Sequence, residues 1–172
     1  GDAVGAAARR RADSMDMIQP DEGREMSLLE TLTTDMKAAM KARDQGRLSV
    51  LRMLIAGVQL QQKEAKRDLT ESEEIEFLAT SAKRRRESID AYAAAARADL
   101  ADVERAELVV IESYLPAQLT PDEAAEVVRR VIDEVGATSK KDMGKVMAAV
   151  MPSLRGRFDG KAAKDLVGSL LP

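Results

Sequence analysis

The chain has no cysteine and no histidine. The first absence rules out disulfides and thiolate metal sites, and the second removes the usual general base and the commonest metal ligand. Aromatic residues are 2% of the 172, limited to Phe77, Tyr92, Tyr114 and Phe158, and proline occurs five times. Single-stranded RNA is ordinarily held by stacking on aromatic platforms, so any RNA partner is expected to be read through its phosphate backbone and folded shape. No apolar run approaches the roughly 20 residues that a membrane-spanning helix needs. No signal peptide with an uninterrupted apolar centre is apparent either, so a cytoplasmic protein without a membrane partner is expected.

Catalytic signatures are also missing. There is no serine elbow, no phosphate-binding glycine loop and no amidase-like glycine- and serine-rich segment with a catalytic lysine. The carboxylates are many but scattered, and although they could hold magnesium, nothing in their spacing points to it. The expectation is no catalytic residue, no metal site and no cofactor.

What the chain does have is helix formers: Ala, Leu, Met, Glu, Lys, Arg and Gln dominate. Its length suits one ordinary domain or two small ones. Residues 1–25 lack apolar periodicity and are read as a disordered extension, an upstream-start product or residue left by an expression vector. Arg9-Arg10-Arg11 there could belong to a transit peptide, but six acidic residues in the same segment argue against import. From Ser27 onward the pattern is all-α. Ser27 with Glu30 and Thr70 with Glu73 are capping boxes. Leu29, Leu32, Met36, Ala39 and Met40 line a first helix to about Arg43; Leu48, Leu51, Leu54, Ile55 and Val58 line a second. Ile75, Leu78, Ala82, Arg85, Ile89, Tyr92 and Ala96 form the seam of a third, with one charge in it. Asp99 is the expected cap of a fourth, which carries Leu100, Val103, Leu108, Ile111 and Leu115 and stops at Pro116.

Thr120-Pro121-Asp122-Glu123 restarts a helix immediately after Pro116-Ala117-Gln118-Leu119, which predicts a boundary near residue 118. The expected organisation is an N-terminal unit of about four helices over 26–118 and a small three-helix bundle over 119–172. In the latter, Ala124, Val127, Val128, Val131 and Val135 face inward and Gly136 ends the helix. Ser139 and Asp142 open the next, with Met143, Val146, Met147 and Val150 in a stripe before Pro152. Leu154 to Phe158 is expected to be irregular, and Asp159 to cap a last helix with Leu166, Val167, Leu170 and Leu171 inward.

The tail contains Gly144-Lys145-Val146-Met147 and then Gly156-Arg157-Phe158-Asp159-Gly160-Lys161. Upstream lie Arg47-Leu48-Ser49-Val50-Leu51-Arg52, Lys83-Arg84-Arg85-Arg86-Glu87-Ser88-Ile89 and Glu112-Ser113-Tyr114-Leu115-Pro116-Ala117-Gln118-Leu119. This order of motifs, over residues 26–172, resembles the GatB/YqeY family. The resemblance implies a helical N-terminal unit and a three-helix tail. In that family the tail module belongs to the B subunit of the glutamyl/aspartyl-tRNA amidotransferase, where it touches folded tRNA, and it also occurs free-standing. It further implies association with carbon–nitrogen ligation using glutamine as amide donor, and amidotransferase or aminoacyl-tRNA synthetase components as partners. The B subunit's catalytic domain has no counterpart in this chain.

Charge agrees with a binding role for the tail. Residues 136–172 hold seven Lys and Arg against three Asp, although the whole chain is at −3. The candidate RNA contacts are Lys145, Arg155, Arg157, Gly160, Lys161 and Lys164, with Gly156 and Asp159 shaping the turn and its helix cap. A helix N-terminus at Asp159-Gly160 would present backbone N–H groups to a phosphate. The alternative is that the glycines merely make a turn, which an Arg157–Asp159 pair fixes. Lys83 to Arg86 is read as a solvated face, with acidic neighbours Glu76, Glu87 and Asp90 on the same helix; a second RNA contact is the other reading. Met143, Met147 and Met151 are core filler or a partner groove. The functional reading is a non-catalytic tRNA-binding accessory module with no DNA partner. A helical protein-interaction adaptor is the alternative.

Overall fold

Ser27 opens the first helix by accepting the Glu30 N–H at 3.2 Å, while the Glu30 carboxylate accepts the Ser27 N–H at 3.4 Å. In the computed structural model, which describes residues 26–172, α1 spans Leu28–Lys41 and turns through a left-handed Arg43. The segment 1–25 lies outside the described residues. Asp44 caps α2 (Gln45–Ala65) on the Arg47 N–H at 3.1 Å. Thr70 and Glu73 form the box that opens α3 (Glu71–Ala94), and α4 (Ala98–Glu112) packs along it. Thr120 and Glu123 do the same for α5 (Pro121–Val135), which Gly136 ends at φ 68°. A 3-10 turn over Lys140–Asp142 leads into α6 (Met143–Leu154), and α7 (Gly160–Leu170) closes the chain. The described residues hold seven α-helices and no strand. The fold is all-α.

The buried side chains fall into two clusters. Leu32, Leu51, Leu54, Val58, Leu78 and Ile111 centre the first, where α1 and α2 meet α3 and α4. Val128, Val146, Val150, Leu154, Ala163 and Val167 centre the second, between α5, α6 and α7. Each helix offers an apolar stripe too narrow to stand alone, so it folds by burying that stripe on a neighbour.

Several expectations need correction. Asp99 is not the cap of α4. Arg97 takes that position without a side-chain bond to the helix backbone, and its guanidinium holds the Asp99 carboxylate at 3.1 Å through two N–H groups. The left-handed Ala96 makes the turn between α3 and α4 so tight that Asp99 already lies in the first helical turn, where a carboxylate still suits the dipole. Val103 is 56% exposed, and Ala101 takes its place in the core. α6 does not stop at Pro152: it continues to Leu154, which is buried. Proline forfeits one bond to the carbonyl four residues back, but Ala148 is exposed, so water can reach that group.

Two polar contacts bind the first cluster together. Glu74 is buried, and its carboxylate accepts the Leu28 N–H at 2.6 Å, so a side chain of α3 satisfies an open donor at the start of α1. The Tyr114 hydroxyl donates to Asp35 and accepts from Arg47 at 3.3 Å, joining α1, α2 and the segment after α4. Burial and the Asp35 carboxylate hold the phenol far above its usual range, so it remains protonated.

Candidate nucleic-acid interface

The segment after α4 and the turn after α6 are two halves of one joint. Gly156 is buried at φ 74°, a conformation that L side chains avoid. A Cβ there would also overlap the Ile75 methyl of α3 and come within 3.5 Å of Leu115. The Gln118 amide donates to the Gly156 carbonyl at 2.6 Å and the Pro116 carbonyl at 3.0 Å. The Leu119 N–H donates to the Arg157 carbonyl at 2.8 Å, and Arg157 Nε donates to the Ala117 carbonyl at 3.1 Å. The Gly-Arg of the tail and the Pro-Ala-Gln-Leu of the linker therefore hold each other.

Arg157 and Asp159 do not pair. The guanidinium is engaged by Ala117 and lies near Glu123, while Asp159 accepts the Ala162 N–H at 3.0 Å and caps α7 as expected. Gly160 is exposed, and a Cβ built on it meets nothing within 4 Å, so the opening of α7 is accessible. Arg155, Lys161 and Lys164 are exposed at this end of the bundle, and their side chains make no hydrogen bond or ion pair among the described residues.

Lys145 is not among them. It stands ten residues before Arg155, about 15 Å along the helix axis. Its ammonium donates to the Val135 carbonyl at 2.9 Å, closing the C-terminus of α5. The nearby Asp142 carboxyl is held below its ordinary range chiefly by the Thr138 and Ser139 N–H groups, and last by Lys145. The exposed Lys140 and Lys141 share this second end, so the basic tail presents charge at two ends.

Between α3 and the Gly156 turn lies a cleft of about 190 Å³. Ala79, Leu115, Met151 and Phe158 supply its apolar lining; Glu76, Thr80, Lys83, Arg86, Gln118, Arg155 and Asp159 supply polar groups. Thr80 and Gln118 were not candidates from the sequence, and Lys83 was read there first as part of a solvated face, with an RNA contact as the alternative. A charge run shows that cations are present, but only the packing of α3 against the tail selects the one that faces it. The ion pairs of that run also differ from expectation. Arg85 meets Glu104 at 3.0 Å and Glu107 at 3.1 Å, and Arg86 meets Glu112 at 3.0 Å, all on α4 rather than within α3.

Among the described residues no group of three or more acidic side chains is placed to hold a metal. None of the described helices is long and apolar enough to cross a membrane. Met143 and Met147 pack against the second cluster, while Met151 faces the cleft.

The profile described as Yqey-like protein matches residues 29–171, and the chain belongs to that family. It is also 28% identical over 149 residues to "Altered inheritance of mitochondria protein 41, mitochondrial" of Pyrenophora tritici-repentis (strain Pt-1C-BFP), a match covering 83% of this chain and 82% of the relative.

Proposed function

We propose that this protein is a non-catalytic accessory module that grips the phosphate backbone of folded tRNA with the end of its tail, in association with tRNA-dependent amidotransferase or synthetase components. The observation that carries this reading is the set of exposed cations at the opening of α7, Arg155, Lys161 and Lys164, whose side chains have no partner among the described residues. Cations left without internal partners beside open backbone N–H groups suit phosphate oxygens. The scarcity of aromatics favours shape and backbone over base stacking. The amidotransferase association comes from the family resemblance. We place the protein in the cytoplasm on its sequence, whereas the fungal relative has a mitochondrial name, and cell fractionation decides between them.

The test is affinity for total tRNA against salt. Lys161→Ala and Lys164→Ala should each weaken binding and flatten the log–log salt slope by about 1. Unchanged affinity and slope in both variants would remove the reading. The adaptor alternative is favoured by Met53 and Leu60, 40% and 57% exposed on α2. It requires protein partners that survive ribonuclease treatment in a pull-down.

A further inference from the structure

The fold divides the basic run of α3. Arg85 and Arg86 are bound by carboxylates of α4, and Arg84 faces a separate cleft shared with Glu73 and Glu76. Lys83 alone of the four lines the cleft against the tail with a side chain that has no hydrogen-bond or ion-pair partner among the described residues. Arg155, from the C-terminal end of α6, lines the same cleft and is equally unpartnered. We propose that Lys83 and Arg155 clamp one internal phosphodiester of a folded RNA between them, so that the N-terminal unit and the tail form a single RNA-binding surface. This rests on the RNA-binding reading above and extends it to α3.

Three features support the clamp. The joint around Gly156 and Gln118 fixes the tail turn against α3, so the backbone positions that carry the two cations are set before a ligand arrives, and only the two side chains remain to be ordered. The cleft, at about 190 Å³, is below the usual size of a cofactor or drug-sized site, which fits a single small charged group. Ala79, Leu115, Met151 and Phe158 form an apolar floor beneath the two cations, so both charged ends lie on the solvent side, where a backbone phosphate can reach them. The carboxylates of Glu76 and Asp159 also line the cleft, and Arg86 is neutralised by Glu112. With two free cations and two carboxylates among its lining residues the cleft has little net charge, which disfavours a dianion such as a terminal phosphate more than a monoanion. A singly charged phosphodiester is the better match.

The experiment measures total-tRNA affinity against salt for the full chain, Lys83→Ala, Arg155→Ala and the double variant, with Arg84→Ala as control. Each single substitution should weaken binding several-fold, and Lys83→Arg should retain it. Because both cations serve one phosphate, the double variant should flatten the log–log slope by about 1, whereas separate phosphates would give about 2. Lys83 and Arg155 are exposed, so helicity and Tm should stay unchanged and report intact folding. A Lys83→Ala variant that binds like the full chain, or a double variant that loses about 2, overturns the clamp. If Lys161→Ala and Lys164→Ala still weaken binding in that case, only the clamp fails; if the full chain does not bind tRNA, the clamp and the RNA-binding reading fail together.

Discussion

Gly156 meets two demands at one position. Its φ of 74° would cost a residue with a Cβ on the order of 1–2 kcal/mol, and the overlap with Ile75 adds an overpacking penalty of about 1–3 kcal/mol. Gly156→Ala should therefore destabilise the protein by about 2–5 kcal/mol, seen as a lower Tm, unless the tail turn moves away from α3. Gly160→Ala offers the comparison, because its Cβ would meet nothing within 4 Å, and it should fold normally. Arg85 stands between two carboxylates of α4. One guanidinium faces Glu104 and Glu107, whose side chains are 15% and 25% exposed, and Glu107 Oε2 has no hydrogen-bond partner despite lying 3.1 Å from Arg85. Arg85→Ala leaves two half-buried carboxylates facing each other and should cost about 1–3 kcal/mol, with water screening keeping it below the fully buried case. Adding Glu104→Gln and Glu107→Gln should restore part of the loss in thermal unfolding. Arg84→Ala, at an exposed position with no ion pair among the described residues, should change little.

At the scale of the element, the helix starts are where sequence and structure agree most closely. Ser27–Glu30, Thr70–Glu73 and Thr120–Glu123 are local, three-residue devices, so their chemistry is readable without knowing the fold. Where neighbours decide, the sequence is less informative. Glu74 reads as one more first-turn acid, yet it is buried because the start of α1 lies against it. Pro152 reads as a stop, yet the exposed Ala148 lets α6 continue. The caps also carry a pH dependence. Glu73 is held down to about 2 by Arg67 first and then by the Thr70 N–H, against 4.5 for the free group. Asp99, Glu123 and Asp142 are lowered too, by Arg97 and by the backbone N–H groups they accept. For a carboxyl whose folded pKa lies below its unfolded one, the stabilisation is complete above the unfolded value and disappears as pH falls through the folded one. Tm should thus decline between about pH 4.5 and 2. Glu73→Gln should flatten that decline while lowering Tm at neutral pH.

At the scale of the whole molecule, the all-helical class and the order of elements were legible because composition and periodicity report them directly. The joint was not. Tyr114-Leu115-Pro116-Ala117-Gln118-Leu119 and Gly156-Arg157 were visible as motifs, but their pairing spans some 40 positions, and no local rule links Gln118 to the Gly156 carbonyl. Of the candidate site residues, Arg155, Lys161 and Lys164 share the opening of α7, Arg157 belongs to the joint, and Lys145 closes α5 at the other end of α6. A helical period places residues on a face, whereas which faces meet depends on how the two cores are mounted on each other.

That mounting can be tested directly. A proline-containing segment between two helical cores would ordinarily be the preferred site of proteolytic nicking, since exposed backbone must fit the protease as an extended strand. Here the Leu119 N–H and the Ala117 and Pro116 carbonyls are all engaged, by Arg157 and Gln118, so residues 116–119 should resist a protease that has access to them in a flexible linker. Gln118→Ala removes the amide that bridges Pro116 to Gly156, and Arg157→Ala removes the bond to Ala117. Neither side chain belongs to a hydrophobic core. The double variant should keep its helical circular dichroism yet be cut between residues 116 and 119, releasing the α5–α7 tail. Cleavage there in the unaltered chain, at the same rate as in the variant, would mean that the joint does not hold in solution. Protection that survives both substitutions would assign the hold to the packing of Ile75, Leu115 and Pro116 around Gly156, and Gly156→Ala would then be the variant that opens it.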